Sequence, residues 1–186
     1  MATVILRPSS IGGSTTGWNG TLSVSDINDA DDATSWVQDT AIAYYHGNLD
    51  DLDSSLSGAT INSFTISGRA AGGKRGTALA QMSLIHSTDG IFATETENFP
   101  NTGITTRTTT SRTTQQDGSS ALTYAYINAC EVVFNPDPAG ITLFDVWVTV
   151  DYTAAGYGHT VNGVAAANIS KVKGVSTANI SKVNVI

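Results

Sequence analysis

The sequence predicts an all-β protein: an antiparallel β-sandwich of jelly-roll type followed by a short C-terminal repeat tail. Three observations carry that expectation. The first is composition. The 186 residues include 26 Thr, 19 Ser and 18 Gly, while charged residues make up only 13%, about half the usual share. Thr is β-branched and fits strands, whereas Gly and Ser fit turns. The second is residues 143–152, LFDVWVTVDY. Phe144, Val146, Val148, Val150 and Tyr152 fall on one face and Asp145, Trp147, Thr149 and Asp151 on the other, the period-2 alternation of a half-buried strand. The third is the recurrence of short strand-like segments separated by turn signals, which suits two packed antiparallel sheets. The expected organisation is a sandwich over 1–153, a linker over 154–160 (AAGYGHT) and a repeat tail over 161–186.

Within the sandwich, 59–68 (ATINSFTISG) reads as a strand. Residues 77–86 (TALAQMSLIH) put Ala78, Ala80, Met82 and Leu84 on one face of a strand, although Ala, Leu, Gln and Met also favour helix. The glycine-rich 71–76 (AGGKRG) between them reads as a hairpin turn. In 130–134 (CEVVF), Cys130, Val132 and Phe134 alternate inward, and 135–140 (NPDPAG) reads as a loop. Residues 103–118 (GITTRTTTSRTTQQDG) have strand propensity but no apolar face after Ile104. They are an exposed edge, a strand across a partner, or a loop, and Arg107 and Arg112 would guard an edge. Residues 34–56 are acidic and irregular, with 49–58 (LDDLDSSLSG) a loop or short helical turn.

Charge narrows the functional classes. The net charge is −7, and residues 1–68 hold eight Asp against one Arg. Such a body repels phosphate, so nucleic acid is not an expected partner. The tail is the reverse: Lys171, Lys173 and Lys182 with no acid. It suits an acidic neighbour such as another copy, or simply keeps a Val/Ala-rich segment soluble. The one cysteine, Cys130, allows no intrachain disulfide and reads as a small buried hydrophobe rather than a nucleophile. The start, MATVILRPSS, does not read as a signal peptide, because its short apolar run ends at Arg7-Pro8. No segment approaches the ~20 apolar residues of a membrane helix. The expectation is synthesis in the cytoplasm and no membrane partner.

Few residues offer chemistry. Residues 68–75 (GRAAGGKR) approach the phosphate-loop pattern, but Arg75 stands where the Mg²⁺-ligating hydroxyl belongs, so a turn is the better reading. Residues 26–32 (DINDADD) gather Asp26, Asn28, Asp29, Asp31 and Asp32, hard oxygens dense enough to suggest Ca²⁺. The EF-hand turn glycine and closing Glu are missing, and a solvated loop with Asx turns competes; no essential metal and no cofactor are expected. His46, His86 and His159 have no metal-ligand spacing, and Tyr44 and Tyr45 beside His46 are candidates for a surface contact. Glu95, Glu97 and Glu131 form no recognisable glycosidase pair. Trp18, Trp36 and Trp147 could each stack on a sugar. Trp147 is the best glycan candidate because the alternation sets it opposite the valine face; packing beneath a loop or subunit is the competing reading.

The tail says its phrase twice. Residues 161–171 read VNGVAAANISK, 172–182 read VKGVSTANISK, and 183–186 begin a third copy. The apolar positions are Val161, Val164, Ile169, Val172, Val175, Ile180 and Val183. On a helical wheel they span a sector of roughly 160°, and an 11-residue period permits a right-handed coiled coil. Gly163 and Gly174, the β-branched apolars and the recurrent Asn weaken a helix. Asn162-Gly163 and, less strongly, Lys173-Gly174 signal tight turns. The better reading is short strands linked by glycine turns. So few units cannot bury their own apolar faces, so these positions are the expected assembly surface, with a homotrimer preferred and docking onto the sandwich or a partner as the alternatives.

These residues resemble bacteriophage virion structural proteins. The opening ILRPSSIGGSTTGW, the acidic DDAT at 31–34, the closing VWVTVDYT at 146–153 and the "VNGVA…ISK" tail carry the resemblance over most of the chain, on short motifs. It implies a non-enzymatic, oligomeric part of the particle surface: a capsid decoration protein, fibre or tail component, located in the virion. Its partners would be further copies of itself and other virion proteins, with a glycan if it is a receptor-binding piece. No catalytic residue carries over. A carbohydrate-binding module is the alternative reading, and an enzyme is the least supported.

Overall fold

The computed structural model describes residues 1–11, 18, 23–28, 35–37, 45–72, 78–136, 140–155, 171–172 and 175–176. The strands in chain order are β1 (Ala2–Leu6), β2 (Pro8–Ile11), β3 (Trp36–Val37), β4 (Tyr45–Leu49), β5 (Thr60–Ala71), β6 (Ala78–His86), β7 (Gly90–Phe99), β8 (Thr105–Thr108), β9 (Cys130–Pro136), β10 (Thr142–Thr153), β11 (Lys171–Val172) and β12 (Val175–Ser176). The first sheet runs β1-β10-β5-β8, with β3 also on β10; the second runs β2-β4-β9-β6-β7. Every pairing is antiparallel. Set aside the short β2 and β3 and number the remaining eight sandwich strands in chain order. The sheets then read 1-8-3-6 and 2-7-4-5, the strand order of a jelly roll. The chain enters both sheets at once, crossing from β1 to β2 at Arg7.

The core lies between the sheets. The first contributes Phe64, Ile66, Val146, Val148 and Val150; the second contributes Tyr45, Met82, Leu84, Val132 and Phe134, all buried. At Gly68 the layers approach so closely that a Cβ would lie 2.8 Å from Met82 Sδ and 3.0 Å from Phe134 Cε2. Gly47 has a different reason to lack a side chain. Tyr45, two residues earlier on the same face, folds its ring back along β4, and a Cβ would fall on the phenol oxygen.

The alternation expected for β10 holds from Val146 to Val150, with one displacement. Leu143 pairs with Ala70 and Asp145 with Arg69, so Phe144 is an extra residue. A bulge reverses the facing of everything before it. Leu143 is therefore buried in the core, and Phe144, expected on the valine face, is only half-buried. β6 is a strand rather than a helix, with Ala78, Ala80, Met82 and Leu84 inward as expected. Its pairing partners on both sides override local propensity. A bulge in β7 opposite Met82–Leu84 holds Ala93 at φ 53°.

Two expectations need correcting. Residues 71–76 are not a hairpin turn, because β5 and β6 belong to different sheets; the segment crosses the sandwich, and 73–77 lie outside the described residues. The 34–56 region is not wholly irregular either. It contains β3 and β4, and Tyr45 is fully buried rather than a surface contact. Within 49–58 a single 3₁₀ turn, Ser54–Leu56, is capped by Asp53. The polar 103–118 segment resolves as an edge: β8 pairs β5 from Ser67↔Thr108 to Ala70↔Thr105. A short helix, α1 (Tyr124–Asn128), is capped by Thr123, whose hydroxyl accepts from Tyr126 N at 3.1 Å. Asn128 and Tyr124 bind the backbone of Leu52 at 2.9 Å each, tying the acidic loop to the sandwich. No helix among the described residues is long and apolar enough to cross a membrane. In the tail, β11 pairs β12 with Val172 opposite Val175.

Candidate functional site

The outward side chains of β10 form the centre of the first sheet's outer face. Register places Ser67 beside Trp147, Thr65 beside Thr149 and Arg69 beside Asp145. The next strand adds Thr108 beside Ser67 and Thr106 beside Arg69. Trp147 thus stands in a field of small hydroxyls, and Ser67 and Thr108 already bond one another at 2.8 Å.

The site also contains a buried ion pair. Asp145 faces outward yet is 2% exposed. Arg7 reaches it from the β1–β2 crossover, its Nη1 donating to both carboxylate oxygens at 2.5 Å. The same guanidinium lies 5.5 Å from the centroid of the Trp147 ring, within cation–π range. One cation therefore neutralises a desolvated carboxylate and covers one face of the indole. Trp147 is half-buried, a platform with a charged lid. Arg7 and Asp145 were missed at the sequence level. Asp145 sits in an alternating strand where an outward acid looks ordinary, and Arg7 reads only as the stop to an apolar run.

A second polar cluster closes the β6–β7 turn. His86 stacks on Tyr126 at 4.0 Å and 9°, and its Nδ1 lies 3.2 Å from Asp89 and 3.1 Å from Thr88 Oγ1. Cys130, opposite His86 in the register, donates its thiol to Tyr126 O at 3.2 Å. Burial, and then the charge of Asp89, push the thiol up to about 12. Burial likewise pushes the Tyr126 phenol up to about 12. A thiol so placed stays protonated at neutral pH and is no nucleophile.

The remaining candidates are dispersed. Asp26 completes a capping box with Ser23 around the 3₁₀ turn Val24–Ile27, and Asn28 Nδ2 donates to Pro8 O at 2.9 Å. Both side chains serve local structure; Asp29, Asp31 and Asp32 lie outside the described residues. Among the described residues no three of His, Cys, Asp and Glu are grouped to hold a metal. Gly68, which opens the phosphate-loop-like stretch, is inside the core, and the next described element is a strand. Among the described residues no helix N-terminus follows it to cradle phosphate. Trp18 is buried and unavailable to a sugar. His46 pairs with Glu131. Tyr44, His159 and the side chain of Trp36 lie outside the described residues. Of the tail's apolar positions, only the backbones of Val172 and Val175 are described; Val161, Val164, Ile169, Ile180 and Val183 are not.

Fold and face together define an antiparallel jelly-roll sandwich. No protein-family model matches the chain, and no curated protein matches it. Among solved structures, the Arthrobacter globiformis T6 isomalto-dextranase complexed with panose is similar at 12% identity and TM-score 0.30, over 67% of this chain and 17% of that one. This chain therefore spans under a fifth of that protein, and a likeness at this level says nothing of activity.

Proposed function

We propose that this chain is a non-enzymatic structural protein of a bacteriophage particle, an oligomeric jelly roll at the virion surface. The observation that carries the proposal is the combination of a sandwich with a repeat tail of opposite charge, in a chain whose opening, closing strand and tail all resemble such proteins. A jelly roll suits the role because its rigid sheets present outward faces while its core is self-contained. The titratable groups favour the same reading. Asp145 is engaged by Arg7, Cys130 by Tyr126 and His46 by Glu131, so each serves packing. Light scattering on the full chain at micromolar concentration tests it. Discrete multimers that decorate particles of a cognate phage are expected; a monomer that ignores such particles would refute the assignment.

Carbohydrate binding is the second reading, favoured by Trp147 among Ser67, Thr108 and Thr149. The Arg7 lid ranks it second, since a sugar would have to displace the guanidinium to stack on that face. Titrating simple hexoses and glucans while following tryptophan emission tests it. A saturable change that is lost in Trp147→Ala supports it, and none at millimolar sugar counts against it.

A further inference from the structure

The open edges of the two sheets are not equally protected. Unpaired strand edges invite added strands, and proteins normally block them with charge, proline, bulges or cover. On one side, β7 and β8 guard each other. Glu95 accepts from Thr110 N at 2.8 Å, Arg107 Nε donates to Asn98 O at 2.9 Å, and Gln116 Nε2 donates to Ile91 O at 3.3 Å. β7 is bulged as well. On the other side, β2 is short, begins at Pro8 and carries a register shift. β1 is short too, at five residues, but among the described residues it has none of the other devices. ATVIL contains no charge and no proline, and its register with β10 runs unbroken from Ala2↔Tyr152 to Leu6↔Val148. Its outward Thr3 is exposed and Ile5 is 53% exposed, and among the described residues no strand pairs with its far side.

We propose that the open side of β1 accepts the repeat tail of a second copy of this chain as an added strand. Two observations select that occupant. The loop after β4 bonds to the end of β1's run, Asp50 N donating to Arg7 O at 2.8 Å; this sets exposed Asp50 next to that end, with exposed Asp51 and Asp53 following in the same loop. The tail offers Lys171, Lys173 and Lys182 with no acid. Its described residues already adopt β pairing, and its Val and Ile side chains suit the cross-strand position beside Ile5. Main-chain bonds supply affinity, while the lysine–aspartate match sets register and partner. The inference rests on the oligomeric part of the proposed function and names the surface that part uses.

Hydrogen exchange of those Ala2–Leu6 amides that point away from β10, over a dilution series of the full chain with mass measured alongside, tests it. Multimers are expected in which these amides are protected at high concentration and exchange faster on dilution. Excess synthetic peptide 161–186 should bring the mass down to one chain, 19.3 kDa, plus its bound peptide, while keeping β1 protected. Ile5→Lys should lower the mass without loss of the melting transition. Joint Asp50→Asn, Asp51→Asn and Asp53→Asn should raise the dissociation midpoint about tenfold and flatten its salt dependence. If Ile5→Lys unfolds, the peptide competition on the unaltered chain still decides. Freely exchanging β1 amides inside a multimer overturn this inference and leave the oligomeric reading standing. A monomer at every concentration overturns both. Protection of those amides in a particle of one-chain mass, without added peptide, means the tail docks on its own chain, which also overturns it.

Discussion

Gly68 and Arg7 mark two kinds of single-residue dependence. At Gly68 the cost of a side chain is steric. Met82 Sδ can move aside, but the Phe134 ring at 3.0 Å is held by the core. Gly68→Ala is expected to cost about 1–2 kcal/mol and Gly68→Val about 2–3 kcal/mol, read as a lower urea midpoint at constant slope. Pairing Gly68→Ala with Met82→Ala should cost less than the sum of the two. At Arg7 the cost is electrostatic. Asp145 is 2% and Arg7 24% exposed, so Arg7→Ala removes the cation from a desolvated carboxylate and should destabilise by about 2–3 kcal/mol. Replacing both by apolar residues, Arg7→Met with Asp145→Leu, should cost less than Arg7→Ala alone. Cys130 gives a pH dependence. Its pKa rises from 9.0 to about 12 on folding, so the folded state holds the proton more tightly. The associated stability is complete below pH 9 and is lost as pH climbs toward 12, at up to about 1.4 kcal/mol per unit. Tyr126, raised from 10.0 to about 12, adds to the loss above pH 10. Cys130→Ala should flatten the decline between pH 9 and 10 in denaturant titrations, and native Cys130 should resist alkylating reagents at pH 8.

At the scale of elements, legibility followed burial pattern. β10 was readable because Val146, Val148 and Val150 face a core while Trp147 and Thr149 do not. Its bulge was not, because an extra residue leaves no mark in composition; Phe144 simply continued the alternation. β6 was readable on its face but ambiguous in type, since Ala and Met serve helix and strand alike; pairing to β7 and β9 settled it. β4 was hidden, because Tyr-His-Gly-Asn-Leu looks like a turn until Tyr45 is seen to lie over Gly47. β8 showed its polarity openly but not its neighbour. The loop beyond it has an order of its own. Asp117 accepts from Ser119 N at 2.9 Å, Ser120 N at 2.8 Å and Ser120 Oγ at 2.5 Å. The Ser120 hydroxyl first, and then the two amides, hold its carboxyl down at about 2. The depressed value means this turn is fully favoured above the ordinary carboxylate pKa and weakens as pH falls through about 2. Amide resonances of Ser119 and Ser120 should titrate together near that midpoint, and Asp117→Asn should abolish the titration.

Over the whole molecule, the fold class was legible because a jelly roll is written in many short, independently patterned strands. Its crossovers were not. The passage of 71–76 from one sheet to the other and the split of the opening strand at Arg7 depend on three-dimensional closure rather than on any local period. The site was least legible: Trp147 stood out as an outward aromatic, but its lid, Arg7, is 140 positions away in the chain. The same long-range closure bears on the tail. Every described residue of the buried core lies between Leu6 and Val150, and β10 ends at Thr153 with β1 and β5 already paired on either side of its last stretch of register. No described residue of that core lies after 155. A chain ending at Thr160 is therefore expected to keep its cooperative melt and the urea midpoint of the full chain, because it retains every described residue of the core and the apolar area that those residues remove from water. Its mass by light scattering should fall from a multimer to one chain, because the strand-forming, lysine-bearing segment is gone. A loss of more than about 1 kcal/mol of unfolding free energy would make the tail an integral strand of the sandwich and move the boundary past residue 160. An unchanged multimer would place the assembly contacts on the sandwich itself.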